Sequence, residues 1–392
     1  MDRKRSTRLL PRKPIGASRR RRGGDPLDLN DLLGRRPISL DTPELQRFLA
    51  GKHVLVTGAG GSIGSEICRQ SMKFCPRQII LLDRAENSLF EIDRELRQRW
   101  LGADIVPAVA DIGDQPRIAS LLDQHRPHVI FHCAAHKHVP MMESNPGEAI
   151  KNNVIGTRVI ADAAAACGAA AFVMVSTDKA VNPTSVMGAA KRCAELYIQS
   201  LNQETGTRFL AVRFGNVLGS SGSVVPIFRK QIEAGGPLTV THPEMQRFFM
   251  TIAEASQLVM QAGAIGRGGE IFVLDMGQPI RILDLAMEMI RRHGLEPEKD
   301  IAIEFTGIRP GEKLYEELAC ANEQTRPTSH PKIRVWQLPR ATAGQVEQML
   351  GSLTAVVDSD REKIVQTLCR CVEEYQPAEG PPPAMRIVAD AA

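Results

Sequence analysis

The sequence is poor in aromatic residues and contains no long apolar run. Phenylalanine, tyrosine and tryptophan together make up 4% of the 392 residues, whereas apolar residues make up 43%. No apolar stretch approaches the roughly 20 residues that a membrane-spanning helix requires. No apolar segment follows the basic N-terminus, as a secretory signal would need. These absences predict a cytoplasmic protein without a transmembrane helix, long enough for two or so domains.

The eight cysteines form no recognisable metal or redox motif. None stands in a C-x-x-C arrangement, and the spacing of Cys369 and Cys371 does not suit a zinc site. His136 and His138 offer two possible ligands, but no third ligand stands near them in the sequence. We therefore predict reduced thiols and no bound metal.

Positive charge is concentrated at the N-terminus. Residues 1–24 contain ten Lys or Arg and one acid, a net charge of +9, which leaves −5 for the remainder of a chain whose total is +4. We predict a basic, disordered tail over 1–24. The four arginines at 19–22 could make peripheral contact with anionic lipid at the inner membrane face. No nucleic-acid partner is expected.

The central part of the chain alternates short apolar runs with helical patterns. Each run is short and apolar throughout, as expected for strands that are buried on both faces. Strands are predicted at 53–57, 78–82, 104–109, 128–132, 171–176 and 208–213, with helices at 62–74, 87–100, 114–125, 147–167 and 185–203. This alternation predicts an α/β protein with a Rossmann-like, doubly wound parallel sheet.

Changes in pattern predict the domain boundaries. Residues 25–50 are expected to form linker helices, and residues 51–217 the doubly wound domain. Gly/Ser/Pro-rich turns then introduce a smaller C-terminal domain over 218–340, with helices near 226–234, 253–263 and 281–293. Residues 341–392 are expected to form a last helix over 343–375, broken near Gly351, and a flexible tail.

A glycine-rich segment joins the first predicted strand to the first helix. Residues 58–64 read GAGGSIG, in which Gly58, Gly61 and Gly64 allow a tight turn and close approach of a pyrophosphate, with Ser62 and Ile63 between them. The following helix supplies free N–H groups and a favourable dipole. A strand before and a helix after this segment indicate a dinucleotide-binding fingerprint.

Residues after the second and third strands indicate which dinucleotide binds. Asp83, 19 residues after Gly64, can accept hydrogen bonds from an adenosine ribose and would repel a 2′-phosphate, which favours NAD over NADP. Arg84 opposes this interpretation because it could pair with such a phosphate, and Asp83 could instead cap the next helix. Asp111 and Ile112 end the third strand, where they could reach the adenine.

Thr177, Asp178 and Lys179 follow the fifth predicted strand. Many sugar-modifying oxidoreductases carry a Tyr-x-x-x-Lys pair just downstream; here Lys191 is present, but Met187 replaces the tyrosine and has no proton to transfer. Asp178 and Lys179 offer an acid and a base, and catalytic groups gather at strand C-termini in such sheets. The alternative is a turn capped by aspartate in a protein that has lost its chemistry.

The fingerprint, Asp83, Asp111, the NVIGT segment at 153–157 and Lys191 together resemble the extended short-chain dehydrogenase/reductase superfamily. Further segments narrow the resemblance: HCAAHKHVP at 132–140, ESNP at 143–146, STDKAVNP at 176–183, RFGNVLG at 213–219 and RPGEK at 309–313. From about 27 to 338 the chain resembles the bacterial UDP-N-acetylglucosamine 4,6-dehydratases of capsule, lipopolysaccharide and glycan synthesis. That family includes members with methionine at the tyrosine position. Longer members carry membrane helices and another domain before this region.

The resemblance implies a reaction and roles for the residues after the fifth strand. The product would be a UDP-4-keto-6-deoxy-hexosamine, made by transient hydride transfer to NAD. Asp178 would act as the acid at sugar C6 and Lys179 as the base at C5. Lys191 would hold the nicotinamide ribose, and a water oriented by Thr177 would relay the C4-hydroxyl proton. A 4-epimerase shares the fold and the first hydride step but needs no acid at C6.

The resemblance also implies binding residues and assembly. Residues 51–217 would bind NAD and residues 218–340 the nucleotide sugar, and a homo-oligomer would form through the helices near 147–167 and 185–203. The implied cofactor contacts include Ala134, Ala135, Lys137 and Asn153. The implied substrate contacts are Lys137, Asn216, Arg247, Arg309 and Glu312, arginine being suited to diphosphate. A non-catalytic dinucleotide-binding protein is the remaining alternative, and the intact Asp178–Lys179 pair argues against it.

Overall fold

The computed structural model describes residues 43–318, 325–336 and 341–378, and every structural statement below refers to those residues. The basic tail, the predicted linker residues 25–42 and the C-terminal end beyond residue 378 lie outside the described residues. The strands are β1 (His53–Thr57), β2 (Gln78–Asp83), β3 (Ile105–Val109), β4 (Val129–His132), β5 (Ala171–Val175), β6 (Arg208–Arg213), β7 (Asn216–Leu218), β8 (Leu238–Val240), β9 (Gln246–Arg247), β10 (Phe249–Thr251), β11 (Ile271–Leu274), β12 (Ile280–Arg281), β13 (Ile303–Phe305), β14 (Thr325–Pro327) and β15 (Ile333–Trp336).

The helices follow the predicted alternation closely. Two short non-α segments join them, a π-helix over Ile150–Gly156 and a 3₁₀ turn over Asp178–Ala180. The α-helices are α1 (Pro43–Leu49), α2 (Ser62–Met72), α3 (Glu86–Arg99), α4 (Gln115–His125), α5 (Val139–Ser144), α6 (Pro146–Ala149), α7 (Thr157–Ala166), α8 (Val186–Glu204), α9 (Val224–Glu233), α10 (Ile252–Ile265), α11 (Ile282–Arg292), α12 (Ala343–Val356) and α13 (Arg361–Cys371).

Nine strands form one twisted sheet in the order β14-β15-β11-β6-β5-β4-β1-β2-β3. The seven strands from β11 to β3 are parallel, and β15 and β14 add an antiparallel edge. The six predicted strands and the parallel, doubly wound sheet are confirmed. Strand order reverses between β1 and β4, which opens a crevice at their carboxyl ends where such sheets bind ligands.

Helices cover both faces of this sheet. Successive side chains of a strand point to opposite faces, so Val54 and Val56 pack into one apolar core whereas Leu55 packs into the other. One layer contains α1, α2, α3 and α10, and the other contains α4, α7 and α8. This burial on both faces explains why the strands read as continuous apolar runs.

A smaller lobe has its own apolar core, and it is discontinuous in sequence. Its core is formed by residues from two stretches, 218–249 and 280–303. Helix α10 and strands β11, β14 and β15 lie between or after these stretches and belong instead to the large sheet and its layers. The predicted continuous domain over 218–340 is therefore corrected: the chain returns to the large sheet twice, because β11 continues the parallel order beside β6.

The C-terminal region forms two helices that pack on α8. The helix predicted over 343–375 is interrupted, as expected, but later than predicted, since α12 ends at Val356 and α13 begins at Arg361, after the Asp360 cap. Gly351, the predicted break, lies inside α12. Both helices bury apolar side chains with those of α8 in one core, and so cover a helix expected to form an oligomer contact. Within the described residues, no helix combines the length and apolar character needed to cross a bilayer.

Candidate active site

The glycine fingerprint forms a tight turn between β1 and α2. Gly58 has a φ of +64°, in the left-handed region, and a Cβ there would lie 2.8 Å from the Ala134 backbone nitrogen. A Cβ at Gly64 would lie 2.1 Å from the Gly58 carbonyl oxygen. The turn therefore requires these glycines. It leads into the N-terminus of α2, where unpaired backbone N–H groups and the helix dipole favour a phosphate group.

Asp83 ends β2 beside this turn. One carboxylate oxygen accepts a hydrogen bond from the Gly60 N–H at 2.9 Å, and the other accepts from the Ala85 N–H at 2.9 Å. The carboxylate lies at a polar cleft that Gly61 and Ser62 also line. Asp83 is therefore held where a ribose hydroxyl could donate to it, as the sequence predicted.

Arg84 and the end of β3 lie apart from that carboxylate. The Arg84 guanidinium is 3.5 Å from the Asp111 carboxylate and 3.3 Å from the His136 ring. Asp111 also accepts from the Gly113 N–H at 2.8 Å. Ile112 is buried against the π-helix. Arg84 is thus engaged with Asp111, which weakens the argument that it serves a 2′-phosphate.

Asn153, on the π-helix, fixes the loop that follows β4. Its side-chain oxygen accepts from the His136 N–H at 2.8 Å, and its amide donates to the His136 carbonyl oxygen at 2.9 Å. Short π-helical turns are frequent at functional sites. Asn153 itself lies outside the cavity, so its effect on a cofactor would pass through this loop, which contains Ala134 and Ala135.

Lys137, from the same loop, reaches across to the small lobe. Its Nζ donates to the Ser221 carbonyl oxygen at 2.7 Å and lies 3.4 Å from the Ser220 hydroxyl. The Ser221 N–H in turn donates to the Ser62 hydroxyl of the fingerprint at 3.1 Å. Burial lowers the pKa of Lys137. These contacts join the predicted cofactor loop to the predicted substrate lobe.

Thr177, Asp178 and Lys179 form the 3₁₀ turn at the carboxyl end of β5. The Thr177 hydroxyl accepts from the Lys179 N–H at 3.3 Å and donates to Asp178 Oδ1 at 3.0 Å. Lys179 Nζ lies 3.0 Å from the same Oδ1 and 3.1 Å from Asn216 Oδ1. The turn is capped by Thr177 rather than by aspartate. The Asp178 carboxylate is thereby free to pair with Lys179.

The second oxygen of Asp178 is buried and has no hydrogen-bond partner among the residues that the structure describes. It lies beside Gly215, which lines the cavity, and a Cβ on Gly215 would come within 3.0 Å of it. An unpaired buried carboxylate oxygen is costly. Gly215, which has no side chain, lies between this oxygen and the cavity.

Opposing effects act on the charge of Lys179. Burial alone would lower the pKa of its ammonium group, but attraction to Asp178 and then to Glu316 outweighs burial, and the pKa is raised. The resting pair is therefore an ion pair at neutral pH. A base at this position must lose its proton to a neighbour before it can act.

Met187 and Lys191 lie one turn apart on α8 and both line the cavity. Ser185 caps this helix by accepting from the Gly188 N–H at 3.1 Å. Met187 is almost fully buried. Burial lowers the pKa of Lys191 to about 8, although Glu195 acts against that change. Met187 thus occupies the tyrosine position as an apolar wall beside a lysine that is readily deprotonated.

The predicted substrate residues come from four segments of the chain, and Lys137 from one of them is described above. Arg247 donates to the backbone carbonyls of Gln246, Lys313 and Leu314 at 2.7, 2.8 and 3.2 Å, which fastens residues 309–316 to β9. Arg309 and Glu312 form a two-point ion pair with distances of 2.6 and 3.1 Å. Glu312 therefore already has a cationic partner, and Asn216 lies next to the catalytic turn rather than apart from it.

These elements surround one cavity of about 690 Å³. Seven predicted residues lie outside its lining: Asp83, Arg84, Asp111, Ile112, Ala134, Asn153 and Asp178, the last directly behind Gly215. The predicted residues that line it are Gly58, Gly61, Ser62, Ile63, Gly64, Ala135, Lys137, Thr177, Lys179, Met187, Lys191, Asn216, Arg247, Arg309 and Glu312. Tertiary structure thus brings the fingerprint, the catalytic turn and the small lobe together.

Two groups at this site were missed by sequence reasoning. The buried carboxylate of Glu316 lies 3.8 Å from Lys179 Nζ and 3.7 Å from an Arg247 nitrogen. Glu195 on α8 pairs with Arg213 and accepts from the Ser176 hydroxyl at 2.6 Å, bracing the catalytic helix against the ends of β5 and β6. Glu316 stands three residues after the RPGEK segment, and its sequence surroundings carry no other signal.

The sheet, the glycine turn and the Lys191 position define a Rossmann-type protein of the extended short-chain dehydrogenase/reductase class. The pattern of one family, described as polysaccharide biosynthesis protein, matches residues 54–338. The chain belongs to that family.

Named relatives match the same region. The capsular polysaccharide biosynthesis protein CapD of Staphylococcus aureus is 58% identical over 299 residues, 76% of this chain and 50% of the relative. The chain thus spans about half the length of that relative. An inverting UDP-N-acetylglucosamine 4,6-dehydratase of Campylobacter jejuni is 33% identical over 278 residues, 70% of this chain and 79% of the relative. A UDP-glucose 4-epimerase of Rickettsia bellii is also 33% identical, over 280 residues, 70% of this chain and 80% of the relative.

A solved structure shares the fold. Pen from Bacillus thuringiensis superposes with a TM-score of 0.69 and 36% sequence identity, covering 75% of this chain and 89% of that chain. The likeness agrees with the Rossmann-type architecture.

Proposed function

We propose that this protein is a nucleotide-sugar 4,6-dehydratase that converts UDP-N-acetylglucosamine to a UDP-4-keto-6-deoxy-hexosamine for surface polysaccharide or glycan synthesis. The observation that carries the proposal is the pairing of Lys179, which lines the cavity, with Asp178 directly behind the cavity wall, 3.0 Å apart. An epimerase needs a group for the C4 hydroxyl but none for protonating a leaving group at C6. An acid and a base at one point are what elimination of water requires.

The pair can supply both groups at once. Transfer of one proton from Lys179 Nζ to Asp178, along their 3.0 Å contact, turns the ion pair into a neutral amine and a neutral acid. Lys179 then removes the C5 proton, which a ketone at C4 has made acidic. Asp178 protonates the C6 hydroxyl as it leaves as water. The proton that Asp178 gives up is the one that Lys179 placed on its Oδ1, so Oδ1 is the oxygen that we assign to this step.

The fingerprint residues fit a dinucleotide, and we propose NAD rather than NADP. When bound, NAD supplies a reversible hydride acceptor for the sugar. Gly58, Gly61, Ser62 and the N-terminus of α2 would hold its pyrophosphate, and Asp83 its adenosine ribose. Lys191 would hold the nicotinamide ribose. A 2′-phosphate would meet the Asp83 carboxylate, while Arg84 is engaged with Asp111.

The small lobe and the residues around it would hold the UDP-sugar. Arg247 and Arg309 carry guanidinium groups at the cavity wall, and guanidinium binds diphosphate oxygens in a two-point geometry. Glu312 would accept a hydrogen bond from a uridine ribose hydroxyl in place of one of its two contacts with Arg309. Lys137 and Asn216 complete the polar lining near the sugar.

The test is incubation of the purified protein with UDP-N-acetylglucosamine and substoichiometric NAD, followed by mass spectrometry of the sugar nucleotide. We expect loss of one water without net accumulation of NADH. A matched Lys179→Met variant should lose this turnover but still bind NAD, because Lys179 does not touch the fingerprint. A product of unchanged mass would identify an epimerase, and dehydration that survives in Lys179→Met would refute the assigned base.

A further inference from the structure

Glu316 lies behind the cavity wall, between two cations that face the cavity. Its side chain is only 3% exposed. The same carboxylate oxygen, Oε1, is 3.8 Å from Lys179 Nζ and 3.7 Å from an Arg247 guanidinium nitrogen. Lys179 and Arg247 line the cavity, whereas Glu316 does not. Glu316 therefore acts on bound molecules only through these two side chains.

The charges around this carboxylate come from three segments of the fold. Lys179 and Asp178 belong to the turn after β5, Arg247 to β9, and Lys313 to the segment that precedes Glu316. A buried carboxylate is costly unless cations compensate for lost hydration. Burial raises the pKa of Glu316, Lys179 then lowers it, and the net direction is upward. Glu316 thus has cationic neighbours on both the catalytic and the substrate side.

Resting on the function proposed above, we propose that Glu316 is a positioning residue that holds the Lys179 ammonium and the Arg247 guanidinium against one buried carboxylate. When Lys179 takes the C5 proton, a positive charge develops on its Nζ. A fixed negative charge 3.8 Å away stabilises that charge without reorganisation of solvent. The same carboxylate keeps Arg247 oriented toward the substrate diphosphate. Glu316 therefore makes Lys179 a stronger base and couples it to the diphosphate site.

A comparison of Glu316→Gln with Glu317→Gln distinguishes the positioning role of Glu316 from a general effect on the stability of the fold. Glu317 is the adjacent carboxylate; it contacts Lys313 and Asn182 at a more exposed position and touches neither cation of the cavity wall. We expect Glu316→Gln to lower kcat roughly tenfold or more, to raise KM for the UDP-sugar, and to move the basic limb of the kcat profile, at which Lys179 loses its proton to solvent, down by about one pH unit. Glu317→Gln should leave all three unchanged.

A second measurement does not depend on turnover. The rate at which an amine-reactive reagent labels Lys179, followed by peptide mass spectrometry across pH, reports the pKa of that lysine directly. The Glu316→Gln midpoint should fall by about one unit, because an opposite charge at this distance favours the ammonium form. If no dehydration is seen but this shift occurs, the reaction is wrong and the positioning role stands. An unchanged labelling midpoint together with an unchanged kcat profile would overturn the role.

The charge-conserving variant Glu316→Asp covers the case in which Glu316→Gln fails to fold. Its carboxylate is one methylene farther from Lys179 and Arg247, so kcat should fall while the labelling midpoint stays closer to that of the unaltered protein. If Glu316→Asp has the same kcat and KM as the unaltered protein, the proposal is contradicted. A positioning carboxylate that moves away from Lys179 and Arg247 must change at least one of these constants.

Discussion

At the scale of single residues, the two carboxylate oxygens of Asp178 have different surroundings. Asp178 Oδ1 receives both the Thr177 hydroxyl and the Lys179 ammonium, while its other oxygen has no partner. This asymmetry separates the two oxygens of one carboxylate. One accepts from Thr177 and pairs with Lys179, and the other lies behind the cavity wall at Gly215. The adjacent residues Thr177, Asp178 and Lys179 therefore form this arrangement together, and none of them forms it alone.

Met187 provides the residue-scale prediction. Its thioether has no transferable proton and forms part of the buried core beside the large sheet, so a Met187→Leu variant keeps the volume of the wall. We expect turnover close to that of the unaltered protein, measured by dehydration of the UDP-sugar. A loss of about a hundredfold, typical of removing an acid–base group, would contradict this and give the methionine a direct role.

At the scale of elements, His132 joins β4 to the start of α7 and to β1. Its Nδ1 lies 2.8 Å from the Thr57 hydroxyl, and its Nε2 lies 3.0 Å from the Thr157 hydroxyl. Burial, with a smaller contribution from Lys191, lowers the pKa of His132 to about 3. The ring is therefore neutral, and it is fully buried between Thr57 of β1 and Thr157 at the start of α7.

This ring predicts a pH dependence of stability. Between pH 6.5 and 3 the unfolded chain binds a proton at His132 that the folded chain does not, so stability falls as pH falls through that window. From pH 7 to pH 5 this residue should account for a loss of about 2 kcal/mol in the free energy of unfolding. The measurement is urea unfolding at both pH values.

Two variants isolate the contribution of His132. His132→Gln should reduce the pH dependence by that amount, even if it lowers stability at pH 7 by weakening the bonds to Thr57 and Thr157. His242→Gln, in a loop of the small lobe, should retain the full dependence. An equal pH dependence in His132→Gln and in the unaltered protein would rule out the buried ring as its source.

At the scale of the whole molecule, the C-terminal helices complete the large domain. Helices α12 and α13 bury Leu353 and Leu368 completely within the core that contains α8. Arg361 of α13 pairs with Glu143 at 2.8 Å, and Glu143 accepts from the Val186 N–H that opens α8. The region thereby braces the helix that carries Met187 and Lys191, although it lies beyond residue 338, where the family match ends.

This packing gives the molecular-scale prediction. Leu353→Ala should lower the free energy of unfolding by about 2–5 kcal/mol, because the surrounding core cannot close the cavity left behind. Leu101→Ala is the matched control: Leu101 is 89% exposed, and its truncation should change stability by less than about 0.5 kcal/mol. The measurement is the free energy of unfolding of both variants in denaturant. Equal stabilities would mean that α12 contributes nothing to the fold in solution.

The sequence by itself determined the large sheet and the cofactor turn. Strand–helix alternation is a local pattern, and β1 to β6 lie within a residue or two of their predicted bounds because each is buried on both faces. The glycine fingerprint, Asp83 and the Asp178–Lys179 turn were also located from sequence, since each depends on residue type beside a strand end. These features need no knowledge of distant neighbours.

Only the tertiary structure decided which residues meet. Glu316 and Lys179 are far apart in sequence, and a glutamate in a loop carries no signal until a fold brings a buried lysine to it. The return of β11 and β15 to the sheet, and the packing of α12 and α13 on α8, likewise depend on pairing between distant segments. The local sequence pattern specifies the helices and strands, whereas burial and charge contacts between distant segments specify which residues lie together. The turn of Thr177, Asp178 and Lys179 could therefore be located from the sequence, and the charges that surround it could not.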